Sequence, residues 1–476
     1  MTSQQEQQEE SKTFPLKITV DKQSNKVVFV EATKDFVETL FSFLSLPLGT
    51  IVRLLATTDK NDRQQLSKSS PFFENIKNLY QTVQNLNSDE VWNNPLCKQM
   101  LLHPRNSCES LCMKLYLNID DSEPSSKFYV CDSCNKFTTF RNLDCTCGKP
   151  PNRQPKNLDS EGQGNHASNG FFDTKSEQMF LVSDDLKILP SSLLNSMQML
   201  LKSGISDSTQ LEEVTQNIGK KEILNLLKYT LTSHEPLTNT ILQSSSKNND
   251  EPRNQYVNGI VTSNYKRNKM DIKVLQSRSK KKLVSAEADG DFIDFILGFL
   301  TIPLGSILKI LIPNNFPRCV GNLYKSVKNL NPMSELLHPC IAPHYGCPNQ
   351  PLNIFPLKFP DHYYYGIHHN DDDDDYNTIE EVISNSHVSI VNRRSVTELD
   401  PREGAVGFVK RAAFYVLGDD LEVKPLAANS FLSYLKELSL PLDDLEVAVI
   451  TVGEEEAKSF LQALFTSKFT LTSVLN

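Results

Sequence analysis

Apolar and polar positions run through the same succession twice along this chain. In LKITVDKQSNKVVFVEA, apolar residues alternate on both sides of a Gln-Ser-Asn turn, the two-residue period of a β-hairpin. The counterpart is IKVLQSRSKKKLVSAEA, in which Glu31-Ala32 becomes Glu287-Ala288. FVETLFSFLSLPLGTIVRLL (36–55) then recurs as FIDFILGFLTIPLGSILKIL (292–311). The first copy reads as a helix ending near Leu44, and Ser45 and Pro47 can start a second, since proline suits a first helical turn. Ile76, Leu79, Tyr80, Val83 and Leu86 keep the spacing of an amphipathic helix, and Val320, Leu323, Tyr324, Val327 and Leu330 repeat it. Such stripes are core rather than cofactor boxes.

The correspondence runs further. Leu101-Leu102-His103-Pro104 returns as Leu336-Leu337-His338-Pro339, an offset of 235 residues. The same offset carries Cys112 onto Cys347, Asp184-Asp185-Leu186 onto Asp419-Asp420-Leu421, and Pro190 onto Pro425. Constant register over this distance predicts an internal duplication. The expected fold class is α+β. Each copy has an N-terminal hairpin-plus-helices part and a C-terminal βαβα-like part, with strand order open. The C-terminal part reads as a hairpin in MFLVSDDLKILP, a helix in SLLNSMQMLLKSG, a strand near 214–218 and a helix in KKEILNLLKYTL. The second copy offers FYVLGDDLEVKP, NSFLSYLKEL, LEVAVITVG and EEEAKSFLQALF.

These patterns divide the chain into a disordered tail (1–13), the first N-terminal part (14–150, with a cysteine knuckle at 128–150) and its C-terminal part (177–242), joined by a linker (151–176). A second linker (243–269) leads to a second N-terminal part without the knuckle (270–365), an acidic linker (366–405) and the last part (406–476). The linkers are rich in Asn, Gly, Ser and Pro or, at Asp371–Asp375, in aspartate, which are loop or disorder compositions.

Composition then narrows the setting. At 476 residues the chain suits several domains, and 39% hydrophobic with 22% charged residues fits a soluble globular protein. A net charge of −9 speaks against a surface that grips nucleic acid all over. The polar start is unlike a signal peptide, so an intracellular, cytoplasmic or nuclear location is expected, with the ten cysteines as free thiols or metal ligands. Segment 292–312 imitates a membrane span, but Asp294, Pro303, Gly305 and Lys309 interrupt it. Two short buried helices are expected there, and no membrane partner.

Only one copy carries evident chemistry. Cys131-Asp-Ser-Cys134 is followed, after ten residues, by Cys145-Thr-Cys147-Gly148. Two close cysteine pairs across a short loop can place four thiolates tetrahedrally around Zn²⁺, and the glycine lets the chain turn beneath the metal. The alternatives are four reduced thiols in a loop or a dithiol redox pair at the CxxC half. Four thiolates leave no open coordination position, so the predicted zinc is structural, not catalytic. The constant offset puts Gly366, His369, Glu380 and Val382 at the matching positions of the second copy, which is expected to lack the site.

Other signals have bland readings. Gly219-Lys220-Lys221 resembles a phosphate-greeting turn, but its counterpart Gly453-Glu454-Glu455-Glu456 would repel phosphate, so helix capping is expected. The paired aspartates read as turns, and His103 and His338 as structural histidines. Arg253, Lys266-Arg267, Lys269 and Lys280-Lys281-Lys282 form a basic zone without interleaved aromatics, read as solvated surface.

The hairpin, the Phe-rich segment, NLYQTVQNLN, CDSC…CTCG, FLVSDDLKILP, GKKEILNLLKYTL and the GFVK at Gly407–Lys410 together resemble the plant proteins of domain-of-unknown-function family 674. The resemblance implies one or two copies of this unit per chain and no established activity. Because the repeated features are core stripes, turns and caps, with no repeated nucleophile–base or cofactor fingerprint, the expected function is a non-enzymatic binding or interaction protein with one structural zinc and an unknown protein partner. Two alternatives remain: an enzyme with a dispersed site between the copies, and a nucleic-acid-associated regulator.

Overall fold

The structure is a computed structural model. It describes residues 12–56, 71–86, 91–122, 127–141, 143–157, 171, 178–242, 269–280, 282–311, 318–332, 334–347, 349–352, 354, 356, 362–369, 378–384, 394–402, 407–426, 436 and 441–475.

Strands β1 (Phe14–Asp21) and β2 (Lys26–Thr33) form the hairpin that the alternation predicts, with Asn25 at φ 52° in the turn. Helices α1 (Lys34–Ser42) and α2 (Leu48–Ala56) flank a tight helical turn at Phe43–Ser45, and almost every side chain here is buried. Helices α3 (Pro71–Asn85), α4 (Pro95–Leu102) and the single-turn α5 (Glu109–Cys112) follow. Asn94 caps α4 by accepting from Leu96 N at 2.7 Å, with Pro95 in the first turn. Short strands β3 (Tyr129–Val130), β4 (Lys136–Thr138) and β5 (Lys156–Asn157) lie in and after the cysteine segment. Then come β6 (Met179–Ser183), β7 (Ile188–Pro190), α6 (Leu193–Lys202), β8 (Leu211–Ile218), α7 (Lys220–Thr232) and α8 (Pro236–Ile241).

The second half opens with β9 (Met270–Ser277), β10 (Lys282–Ala288), α9 (Gly290–Gly298), α10 (Leu304–Ile310) and α11 (Arg318–Leu330). After β11 (His362–His369), β12 (Thr378–Ser384) and β13 (Arg394–Glu398), it closes with β14 (Tyr415–Gly418), β15 (Val423–Pro425), β16 (Leu445–Val452), α12 (Glu454–Thr466) and α13 (Thr470–Leu475). The helix expected in NSFLSYLKEL falls outside the described residues apart from Lys436. No helix among the described residues is long and apolar enough to cross a membrane.

Two five-stranded antiparallel sheets result, ordered β7-β6-β2-β1-β8 and β15-β14-β10-β9-β16. Strand β1 pairs with β8 over eight residues, Phe14 against Ile218 through Asp21 against Leu211. β9 pairs with β16 in the same way, Met270 against Val452 through Ser277 against Leu445. The hairpin of each N-terminal part and the strands of the matching C-terminal part therefore share one sheet. They are one folding unit interrupted in sequence, and a single large core spans both units.

The Pro-Leu-Gly breaks meet each other. Pro47 bridges Pro303 antiparallel, Leu48 N donates to Ile302 O at 3.1 Å, and Leu304 N donates to Leu46 O at 3.0 Å. A Cβ on Gly49 would stand 3.1 Å from Leu300 O, and one on Gly305 would stand 3.1 Å from Leu44 O and 2.6 Å from Leu336 O. The repeated Leu-Leu-His-Pro motif supplies the other wall, with Pro104 Cγ and Pro339 Cγ each 3.0 Å from those positions. Two backbones and a proline ring crowd this crossing, so a Cβ at Gly305 would force the backbone apart and one at Gly49 would be tight.

The Asn-Leu-Tyr helices are exchanged between halves. Asn78 of α3 donates to Asp420 O (3.1 Å), and Val423 N donates to Thr82 Oγ1 (3.3 Å). Reciprocally, Asn322 of α11 donates to Asp185 O (2.8 Å), and Ile188 N donates to Ser326 Oγ (3.0 Å). Phe72 stacks on Phe465 at 4.3 Å between ring centres. Each helix stripe is thus core, as its period predicts, and each helix also bonds to the Asp-Asp turn of the opposite sheet.

The segment read as an acidic linker (366–405) contains β12, β13 and the second half of β11. The apolar positions Val382, Ile383 and Val396 are buried, which a linker composition does not provide for. These strands join β3, β4 and β5 in a six-stranded sheet ordered β3-β4-β13-β11-β12-β5. Its two junctions between halves are parallel, β4 with β13 and β12 with β5. Val130 N donates to Arg153 O at 2.8 Å, so the approach to β5 returns to β3 and the two ends of the sheet meet. Inside lie Phe128, Val130, Phe137, Ile383 and Val396, a core separate from the large one. The Asp371–Asp375 run lies outside the described residues.

Candidate metal centre

The cysteine segment begins within the β3–β4 hairpin of this composite sheet. Cys131 follows β3 directly, and its N–H donates to Lys136 O at 2.9 Å, closing the Cys131–Cys134 turn onto β4. Cys145, Thr146 and Cys147 form a second turn, closed by Gly148 N donating to Cys145 O at 2.8 Å, with Gly148 at φ 81°. That left-handed conformation explains the glycine after the second pair.

The four sulfurs of Cys131, Cys134, Cys145 and Cys147 all lie within 4.8 Å of one another. Cys131 Sγ is 3.5 Å from Cys147 Sγ, and Cys134 Sγ is 3.2 Å from Cys145 Sγ. A tetrahedral Zn–S₄ site with bonds near 2.3 Å requires sulfur separations of about 3.8 Å. The two shortest separations lie a few tenths of an ångström below that value and none exceeds 4.8 Å, so the donor set fits such an ion after a small adjustment. Among the described residues this is the sole cluster of at least three potential ligands so close together.

The thiols do not ionise alike. Burial opposes ionisation of Cys131, but the Ser133 and Cys134 amides and the Cys147 thiol outweigh it and bring it down to about 7. Cys134 is pushed up to about 12 by burial and by its hydrogen bonds to neighbouring sulfurs. A thiol eased toward ionisation, with amides turned toward it, is a starting point for a cation that displaces the remaining protons.

Leu399, just past β13, packs against Cys131 and Cys145, and its N–H donates to Phe137 O at 2.8 Å. Sequence spacing gave no sign of this contact, which joins residues more than 250 positions apart in the chain. The next residues form a charged clasp whose members are far apart in the sequence. His344, at φ 67°, sets Nε2 2.7 Å from Glu398 Oε2 and Nδ1 3.4 Å from Asp400 Oδ2. Burial disfavours the imidazolium, but the two carboxylates prevail and raise His344 to about 9. Burial would likewise raise Asp400, yet the hydrogen bonds from His344 and Arg402 hold it far below the usual carboxylate range. Arg402 donates from Nη2 to Asp400 Oδ2 at 2.9 Å and also binds Gly346 O.

At the offset counterparts of the cysteines stand Gly366, His369, Glu380 and Val382, on the β11–β12 hairpin.

The weaker signals resolve into structure. Asp184 accepts from Thr238 N (2.9 Å) and Oγ1 (2.5 Å), and Asp419 accepts likewise from Thr472 (2.9 and 2.8 Å). Both turns continue into a leucine with positive φ, Leu186 and Leu421. Gly219 and Gly453 are helix N-caps whose N–H groups donate to Glu222 and Glu456. His103 and His338 are lowered by burial first and then by the adjacent cations Arg53 and Lys309, so both stay neutral at pH 7. Of the basic zone, Lys282 lies 3.8 Å from Asp419 and covers the Phe469 ring, while Arg253, Lys266, Arg267 and Lys281 fall outside the described residues. On the knuckle itself, Lys136 donates to Thr146 and Arg153 pairs with Asp132.

Comparison with curated proteins finds no match, and neither does comparison with solved structures. Residues 10–455 do match one family, described as Protein of unknown function (DUF674). That span takes in both five-stranded units, short of the final helices, and the composite sheet with its four cysteines; on it, this chain belongs to the DUF674 family.

Proposed function

We propose that the protein acts by binding rather than by catalysis, that it is built of two copies of one folding unit, and that Cys131, Cys134, Cys145 and Cys147 hold a single structural zinc ion. The observation that carries the reading is the four-sulfur cluster, whose spacing suits a closed Zn–S₄ shell with no position left for water or substrate. The features that might have served catalysis support the same reading. The paired aspartates bind backbone and threonine, and the repeated histidines are kept neutral beside cations. Reduced thiols accord with an intracellular setting, and the partner of such a scaffold is a protein.

Metal analysis and native mass spectrometry of the purified chain test the proposal. One zinc per chain is expected, falling to none in Cys131→Ser and Cys145→Ser. No zinc in the wild type, two per chain, or full zinc in both variants would defeat it.

A further inference from the structure

We propose that metal loading of the Cys131–Cys147 knuckle controls assembly of the composite six-stranded sheet, and with it whether β13 and the Leu399–Arg402 segment that follows it are docked or released. The inference rests on the knuckle holding a metal and concerns what that metal governs. Three observations lead to it.

The first is that the composite sheet has its own small core. Phe128, Val130 and Phe137 come from the first half, Ile383 and Val396 from the second, and none of them joins the large core. Units below roughly 40 residues usually need a metal, a disulfide or a partner to stay folded. All ten cysteines are unbonded thiols, so no disulfide supplies the staple.

The second is that the strands nearest the sulfurs are too short to stand alone. β3 has two residues and β4 has three. Their geometry is imposed by the turn from Cys131 to Lys136, whose shape a metal across Cys131, Cys134, Cys145 and Cys147 would fix. β4 in turn is the template for β13, with Thr397 N donating to Asn135 O at 2.9 Å and Leu399 N to Phe137 O at 2.8 Å. Leu399 rests directly on Cys131 and Cys145.

The third is that the docked strand leads straight into the clasp. Glu398 and Asp400 bracket Leu399 and hold His344, while Arg402 reaches back to Gly346 O. Undocking β13 would therefore free these carboxylates from His344. The two five-stranded sheets depend on none of these contacts, since their ladders close within β1, β2, β6–β8 and within β9, β10, β14–β16. Emptying the knuckle thus opens one part of the molecule and leaves the remainder folded.

Hydrogen exchange on the full-length chain, zinc-loaded and after chelation, reads this directly. Chelation should speed exchange at least tenfold in peptides covering 129–138 and 394–402, with β1, β9, α7 and α12 unchanged. Val396→Asp should do the same with zinc still bound, because it breaks the small core and spares the ligands. If the chain binds zinc, yet 394–402 keeps its protection when zinc is removed, the inference fails and the zinc site stands. If protection falls equally throughout both halves, the metal holds the whole fold and local control is wrong. Absence of zinc from the purified wild type would instead overturn the site on which the inference rests.

Discussion

The two halves carry the same sheet and solve one local problem differently. At the start of the first helix, the first half has Lys34 and Glu38, both buried, with Nζ 3.9 Å from Oε1. The second half has Gly290 and Asp294 at the matching positions. Its glycine lets the GFVK segment pass, since a Cβ there would lie 2.8 Å from Lys410 O. Asp294 Oδ1 then accepts from Phe408 N and Val409 N, both at 2.9 Å. A contained ion pair in one half becomes a docking point in the other. The docked segment runs on to the first half, where Asn93 N donates to Phe408 O (3.0 Å) and Lys410 N to Val91 O (2.8 Å). The first half has an internal charge pair here, and the second has a strap across the molecule.

The strongest way to break this comparison is Gly407→Ala. Gly407 has φ 132°, and a Cβ there would sit 1.7 Å from Asp294 Oδ2, a group that is buried and lacks a hydrogen-bond partner. Strain in a glycine-only region adds to a clash with a buried carboxyl, so a loss above about 3 kcal/mol is expected in chemical denaturation. Gly219→Ala, whose Cβ would meet its nearest neighbour only at 3.4 Å, is the control and should cost under about 1 kcal/mol. Equal stabilities of the two variants would show that the strap is not seated on Asp294.

A second contrast lies where His344 stands at the counterpart of Glu109. In the first half Glu109 forms a two-point pair with Arg105, at 3.0 and 3.1 Å. In the second half the clasp depends on an imidazolium. His344 is raised to about 9 in the fold from an ordinary 6.5, so protonation favours the folded state. The contribution is complete below pH 6.5, declines as the pH rises, and is gone above about 9. Its upper bound is on the order of 3 kcal/mol, reduced by the coupling of His344 to two carboxylates. Denaturation midpoints between pH 6.5 and 9.5 should fall in the wild type and flatten in His344→Gln. An unchanged slope in the variant would remove His344 from the clasp.

Much of this was legible in the sequence, for physical reasons that also set the limit. Alternation fixed β1, β2 and their counterparts because one face of each is core, and the 3.6-residue stripe fixed α3 and α11 for the same reason. Close cysteine spacing exposed the knuckle because its ligands are local. Neither signal says which surface a stripe is buried against, so the exchange of α3 and α11 between halves was invisible. The composite sheet was hidden more deeply. Its first-half strands are two or three residues long, below any detectable period, and its second-half strands adjoin an aspartate run that gave the whole stretch the composition of a linker. The clasp of His344 with Glu398 and Asp400 joins positions that only the folded chain brings together.

The smallest expected effect tests the exchange itself. Asn78 and Asn322 occupy matching places on α3 and α11, and each ties its helix to the opposite half. Asn78 makes one bond, to Asp420 O at 3.1 Å in an exposed setting. Asn322 makes two, to Asp185 O at 2.8 Å and Asp185 Oδ2 at 3.0 Å, and is only 7% exposed. Removing a buried donor leaves its acceptors unsatisfied, whereas water replaces an exposed one. Asn322→Ala should therefore cost about 1–2 kcal/mol and Asn78→Ala under about 1 kcal/mol. The sites are well separated, so the double variant should show the sum. Because each bond crosses between halves, the loss should also appear as faster hydrogen exchange at the partner turn, near Asp185 or Asp420, as well as within the mutated helix. A loss confined to the mutated helix would mean that the helices lie against the opposite sheets without being held there by these asparagines.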